Sequence, residues 1–277
     1  MLHIPPLLLS ALLWIGFIAI GAWQPLETSR TPGTRAGHSP MPDFLNNPSM
    51  FVGVDVQVKR GCSFYAITAA GDHVDSGWLP SHTAPEELRH LLHRLTSDAP
   101  SHIAVGIDAP RCPLDERRQW SWSGKRGAWS SAPNAVGAGR HCEVVISAQR
   151  LANPQWTPLR HSAPEWMQLG FALFERLADL PHVYEVFPSA AYTQLANDAT
   201  AMLPICFAGF LPGPKDMLDA AIGALVVRDY LAGKGCAVGG GDGLGSIILP
   251  RPLRSPHAKL SDWPSAVMPT SPPSPTR

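Results

Sequence analysis

Phe51-Val-Gly-Val-Asp-Val-Gln-Val58 is the stretch from which the rest of the chain can be ordered. Successive side chains of a strand point to opposite faces. Val52, Val54, Val56 and Val58 therefore share one face, and Gly53, Asp55 and Gln57 the other.

Working outward, Cys62 to Ala69 and His73 to Leu79 read as two short strands with Gly71-Asp72 as their turn. Thr83-Ala-Pro-Glu86 has the spacing of a capping box and opens a helix with Leu88, Leu91, Leu92 and Leu95 as its apolar stripe. Ile103-Ala-Val-Gly-Ile107 is a continuous apolar run, as expected of a strand buried on both faces, and it ends in Asp108-Ala-Pro110. Residues 111–160 read as a long irregular stretch. Ser162-Ala-Pro-Glu165 is a second capping-box pattern before a helix carrying Trp166, Leu169, Leu173 and Leu177. Val183 to Phe187 is a further strand. Pro214 opens a last helix with Leu218, Ala221, Ile222 and Leu225 inward, closed by Gly233 and Gly235. The order β-β-β-α-β-α-β-α predicts three antiparallel strands leading into a mixed sheet flanked by helices.

The ends differ in character from this core. Ile4 to Trp23 is uncharged and apolar, long enough to span a bilayer. No Lys or Arg precedes it and no clear cleavage site follows, which disfavours a secretory signal. Two readings stay open. One is a membrane anchor whose positive flank, Arg30 and Arg35, leaves the main domain on the cytoplasmic side. The other is a mis-called start, with Met50 or Met41 as the true first residue. The Pro- and Ser-rich tail from Ser255 to Arg277 cannot bury enough apolar surface to order itself. The expected organisation is a segment 1–49, a folded domain 50–254 and a disordered tail 255–277, with the domain in the cytoplasm. Five widely spaced cysteines without a CxxC fit reduced thiols rather than a disulfide framework or a zinc site. The formal net charge is zero, so any nucleic-acid contact has to come from a local patch.

Acids recur where elements end. Asp55 lies in the first strand, Asp108 at the exit of the fourth and Glu185 in the fifth; Asp216 and Asp219 share one face of the last helix. Singly, an acid at a strand end has an ordinary reading as a turn or cap residue, and Asp216 as a helix N-terminal charge, whereas Asp219 lies inside an otherwise apolar helix, where a buried carboxylate needs a partner or a metal. Together they would repel unless divalent cations bind, and Mg²⁺ or Mn²⁺ favour oxygen ligands. Two such ions about 4 Å apart can activate water and stabilise a departing phosphodiester oxygen.

The ordered set Phe51–Val58 with Asp55, Gly106-Ile-Asp-Ala-Pro110, Arg140-His-Cys-Glu143, Tyr184-Glu-Val-Phe-Pro-Ser-Ala190, Lys215-Asp-Met-Leu-Asp-Ala220 and Gly245-Ser-Ile-Ile-Leu-Pro250 resembles the family called domain of unknown function 429. The resemblance covers about residues 50–252. It implies an RNase H-like α/β fold, with a mixed five-stranded sheet flanked by helices, and a predicted nuclease. The Asp216-x-x-Asp219-Ala220 helix is also similar to the last helix of RuvC-type resolvases. That likeness implies Asp55 as central metal ligand, Asp108 as the fourth-strand ligand, and Asp216 and Asp219 as helix ligands. Glu185 is carried from the family motif alone, as an assisting acid.

Arg111, Arg117, Arg118, Lys125 and Arg126 are interleaved with Trp120, Trp122 and Trp129. This stretch reads either as a phosphate-and-base surface for single-stranded nucleic acid or as an insertion packed on the domain. Arg140 and Lys215 carry a similar choice, phosphate contact or pairing with an acid. The run Gly239 to Gly245 lacks the ending of a P-loop, the histidines show no metal spacing, and Ser246 lies in no nucleophile elbow. The expected function is a Mg²⁺- or Mn²⁺-dependent hydrolase of nucleic acid, DNA or RNA, with Asp55, Asp108, Glu185, Asp216 and Asp219 catalytic. The alternative is a non-catalytic RNase H-like nucleic-acid-binding module. Nucleotide phosphoryl transfer on the actin-like architecture ranks last, because the duplicated second domain is missing.

Overall fold

The computed structural model describes residues 48–96, 102–123, 125–126, 128–131, 137–196 and 214–254. The apolar run 4–23, the candidate start at Met41, Cys206 and the tail lie outside the described residues. Among the described residues, no helix is long and apolar enough to cross a membrane. Cys62, Cys112, Cys142 and Cys236 are free thiols.

The expected antiparallel hairpins are present. β1 (Met50–Asp55) pairs antiparallel with β2 (Cys62–Thr68), and β2 with β3 (His73–Leu79), with a register shift between Ala66 and Ile67. On its other edge β1 lies parallel to β4 (Ile103–Asp108), which lies parallel to β7 (Val183–Val186). The strand order β3-β2-β1-β4-β7 is that of an RNase H-like sheet. The sheet then runs on past the five expected strands. β9 (Ser246–Leu249) adds parallel to β7, and β8 (Cys236–Gly239) adds antiparallel to β9, for seven in all. Four-residue strands beside a glycine run carry too little alternation to be read in advance.

Helices cover both faces. Under one face, Val52, Val54 and Val56 pack with Leu88, Leu91 and Leu92 of α1 (Ala84–Thr96) and with Leu173 and Phe174 of α3 (Glu165–Arg176). On the other face lies α5 (Pro214–Leu231), against Phe51, Tyr65, Ile67 and Ala104. Neither expected capping box takes that form. The Thr83 hydroxyl donates to the Pro80 carbonyl, and Ser162 sits in a 3-10 turn while Pro164 precedes α3.

The stretch 111–160 is not wholly irregular. It contains a separate hairpin, β5 (Trp120–Ser123) with β6 (Ala128–Ser131), and a helix, α2 (His141–Ala148). His141 through Ser147 are all buried, so α2 has no polar face and no amphipathic signal. A further helix, α4 (Pro188–Leu195), follows β7 directly, with proline at its first turn.

Glycine fixes how closely α5 lies on the sheet. Gly53 and Gly106 are register partners in β1 and β4. A Cβ on Gly53 would come within 1.8 Å of the Ala220 carbonyl oxygen and 2.4 Å of the Ala224 nitrogen. A Cβ on Gly106 would come within 2.6 Å of a Val227 methyl and 3.0 Å of the Gly223 carbonyl oxygen. The helix backbone therefore rests on bare strand backbone, lowering its carboxylates to the level of the strand ends.

Candidate metal centre

Gly-x-Asp occurs in both central strands, as Gly53-Val-Asp55 and Gly106-Ile-Asp108. The in-line parallel register sets Asp55 opposite Asp108 and Gly53 opposite Gly106. Alternation then carries both carboxylates to the α5 side, two residues beyond the glycines that admit the helix. Asp219 lies on that helix one residue before Ala220, which is in contact with Gly53. Ligand oxygens of Asp55, Asp108 and Asp219 all lie within 4.8 Å of one another.

The electrostatics of this trio are unresolved by protein groups. Asp55 is buried, and its Oδ2 has no hydrogen-bond partner. Burial, followed by the charges of Asp219 and Asp216, pushes the Asp55 carboxyl up to about 7. Asp108 retains some exposed area, yet it is held well above the usual carboxylate range, by desolvation first and then by Asp55 and Asp219. Asp219 is better provided for. The Tyr192 hydroxyl of α4 donates to its Oδ1 at 2.8 Å, and the Lys215 ammonium, one turn earlier on α5, donates to its Oδ2. Burial and the Asp219 charge in turn raise the Tyr192 phenol above its ordinary value. Three oxygen donors, one of them a buried orphan, fit a hard divalent cation.

The other two expected acids lie elsewhere. Asp216 stands at the start of α5, with Arg60 at 2.7 Å from its carboxylate, and its backbone carbonyl accepts from the Ser63 hydroxyl. Its charge acts on Asp55, but it is outside the trio. Glu185 is the register partner of Ile107, not of Asp108, so it projects from the opposite face of the sheet. There it is gripped by Arg140, which donates through Nη1 at 2.7 Å and Nη2 at 2.5 Å, while the Arg111 backbone N–H donates at 2.9 Å.

The cations sort the same way. Arg140 is 1% exposed and also holds Glu143, so it pairs with acids and cannot reach an external phosphate. Thr157 completes Glu143 with its N–H and its hydroxyl. Arg118 is buried and paired with Asp242 at 2.7 Å. Arg111 bonds the Val183 carbonyl and lies 4.5 Å over the Phe174 ring, and burial lowers its pKa. Trp120 is buried in the core and Trp122 packs against it. The packed-insertion reading therefore holds for Arg118, Trp120 and Trp122, whereas Arg117, Lys125 and Arg126 are exposed around the hairpin. A cavity of about 50 Å³ opens beside Asp108 and is floored by Arg140, Glu143 and Glu185.

Sequence reasoning had no means of linking Tyr192 to Asp219, since α4 itself was hidden. Gly-x-Asp stands in both central strands, but only the strand register and the seating of α5 bring Asp55, Asp108 and Asp219 together. No protein-family model, curated protein or solved structure matches the chain.

Proposed function

We propose that this domain is a Mg²⁺- or Mn²⁺-dependent phosphodiesterase that hydrolyses nucleic acid. The observation that carries the reading is the buried, unpartnered Asp55 oxygen among the ligand atoms of Asp108 and Asp219. A buried polar atom left without a partner costs on the order of 1–3 kcal/mol, more if charged. A cation there would remove that cost and favour the ionised forms of Asp55 and Asp108. The RNase H-like strand order supports the reading, as do the resemblance to the domain of unknown function 429 and the resolvase-like α5 acids.

Asp55, Asp108 and Asp219 would hold the ion. When bound, it supplies charge neutralisation at a phosphate and a lowered pKa for water. Asp216, paired with Arg60 in this structure, would be the further carboxylate available to a second ion. Tyr192 fixes the orientation of Asp219 through its hydroxyl. Arg117, Lys125 and Arg126 are the exposed cations available to the phosphate backbone. Glu185 and Arg140 serve as support for the segment that follows Asp108.

The test is the full chain incubated with single- and double-stranded DNA and RNA, with Mn²⁺ or with EDTA. Asp55→Asn and Asp219→Asn should lower cleavage by at least about a hundredfold and leave binding intact. Binding without cleavage of any of these substrates would replace the nuclease with the binding-module reading.

A further inference from the structure

Two acids at the proposed centre are each held by an exposed cation, Asp219 by Lys215 and Asp216 by Arg60. Lys215 reaches Asp219 from the next turn of α5, and its side chain is 71% exposed while that of Asp219 is 9% exposed. The ammonium thus bridges from solvent onto a buried carboxylate. It lies in the field of Asp55 and Asp108 as well. No other lysine among the described residues is ion-paired to the trio, and Arg60 serves Asp216 instead.

We propose that Lys215 is an exchangeable counter-ion of the acidic centre, seated on Asp219 in the metal-free protein and displaced into the mouth of the site by the incoming divalent cation. The inference rests on the reading that Asp55, Asp108 and Asp219 hold metal. Three observations carry it. First, Asp219 is doubly supported by Tyr192 and Lys215 while Asp55 Oδ2 has nothing, so the protein's own positive charge is attached to one side of the trio. A cation arriving at the trio meets that charge at close range. Second, the exit of Lys215 is open, because most of the side chain is already in water. A lysine stem carries its ammonium as a strongly hydrated point charge with freely rotating donors. Third, the contact is an i,i+4 pair on one helix, so releasing it moves no backbone. Displaced, the ammonium stays within one turn of Asp219, at the place where the anionic substrate of a metal-loaded centre has to arrive.

The arrangement makes metal binding a competition. The acids are partly neutralised without metal, which keeps the empty centre from tearing itself apart. The cost is a weaker grip on the ion. Charge is also delivered to the rim only after loading, so the order metal first, phosphate second is favoured.

The experiment is calorimetric titration of the full chain with Mn²⁺, together with acetylation footprinting of lysines by mass spectrometry. Lys215→Met should bind Mn²⁺ roughly fivefold more tightly than wild type, the equivalent of losing one partly exposed ion pair. Lys215→Arg should keep the weaker affinity. In the wild type, saturating Mn²⁺ should raise acetylation at Lys215 and leave Lys59 and Lys234 unchanged. Equal Mn²⁺ affinities for wild type and Lys215→Met, with unchanged Lys215 labelling, would overturn the exchange while the metal site stands. Absence of Mn²⁺ binding in both proteins would overturn the metal reading and the exchange with it.

Discussion

Two groups of buried carboxylates lie on opposite faces of the same sheet, and they are treated in opposite ways. Glu143 and Glu185 receive hydrogen bonds from Arg140, Thr157 and the Arg111 backbone, and both oxygens of each are occupied. Asp55, Asp108 and Asp219 share a comparable space, but one oxygen of Asp55 meets no donor at all. Asp55 and Asp219 are buried as Glu143 and Glu185 are, so burial does not separate a structural acid from a functional one. Saturation does. A network with every member bonded is stable in itself, whereas a half-bonded one is destabilising unless a ligand completes it.

The strongest way to break this comparison is to remove the cation from the saturated side. Arg140→Met leaves two buried glutamates facing each other without a counter-charge, and stability should fall by about 3–5 kcal/mol in urea denaturation. A loss below about 1 kcal/mol would mean that this cluster is not saturated in the sense argued.

The unsaturated side should respond in the reverse direction. The Asp55 carboxyl, pushed up to about 7 by burial and by Asp219 and Asp216, lies above its ordinary value of 3.8. The folded state therefore holds the proton more tightly than the unfolded one. That contribution is fully present below about pH 4 and is lost as pH rises through about 7, on the order of 4 kcal/mol in total. In EDTA, Asp55→Asn should escape this loss and melt above the wild type at pH 8, with the two converging towards pH 4. In Mn²⁺ the wild type alone should gain melting temperature. A variant with an undiminished Mn²⁺ response would exclude Asp55 as a ligand.

Gly53→Ala sharpens the comparison from the backbone. Its methyl group meets the Ala220 carbonyl at 1.8 Å, so α5 has to lift, at a cost of about 1–3 kcal/mol. The Mn²⁺ response should fall with it, because Asp219 rides on that helix. The Glu143 and Glu185 side should be untouched, measured as unchanged protection of the α2 amides in hydrogen exchange.

The smallest effect is expected at Tyr192→Phe. It removes one hydrogen bond from Asp219, worth about 1 kcal/mol, and leaves the fold as it is. The readout is a modest fall in metal-free stability that Mn²⁺ compensates, since the ion also fixes Asp219. Insensitivity of that fall to Mn²⁺ would place Tyr192 outside the function of the site.

The residues of the first strands were the most legible part of this molecule. Alternation in Phe51–Val58 gave the faces of β1 correctly, and the apolar run Ile103–Ile107 gave a strand buried on both sides. Both depend only on nearest neighbours along the chain. The region after Asp108 was far less legible. α2 is buried all round, so no stripe distinguished it, and β8 and β9 are too short for a period to show. The arginines and tryptophans of 111–129 have the composition of a binding surface, yet Arg118 and Trp120 are core residues. Composition alone does not report which side of a hairpin faces solvent.

What the chain's sequence settled by itself is the succession of the first three strands, the first helix and the buried fourth strand, because local sterics and period-two alternation act within single elements. It set two carboxylates at strand ends, each two residues beyond a glycine, and put acids one turn apart on the last helix. Which carboxylates meet was decided only by tertiary structure. Asp55 and Asp108 share a face because β1 and β4 pair in line, and Glu185 is turned away because β7 pairs with β4 one residue out of phase with Asp108. Register between strands distant in sequence is set by packing across the whole sheet, and a shift of a single residue exchanges the two faces.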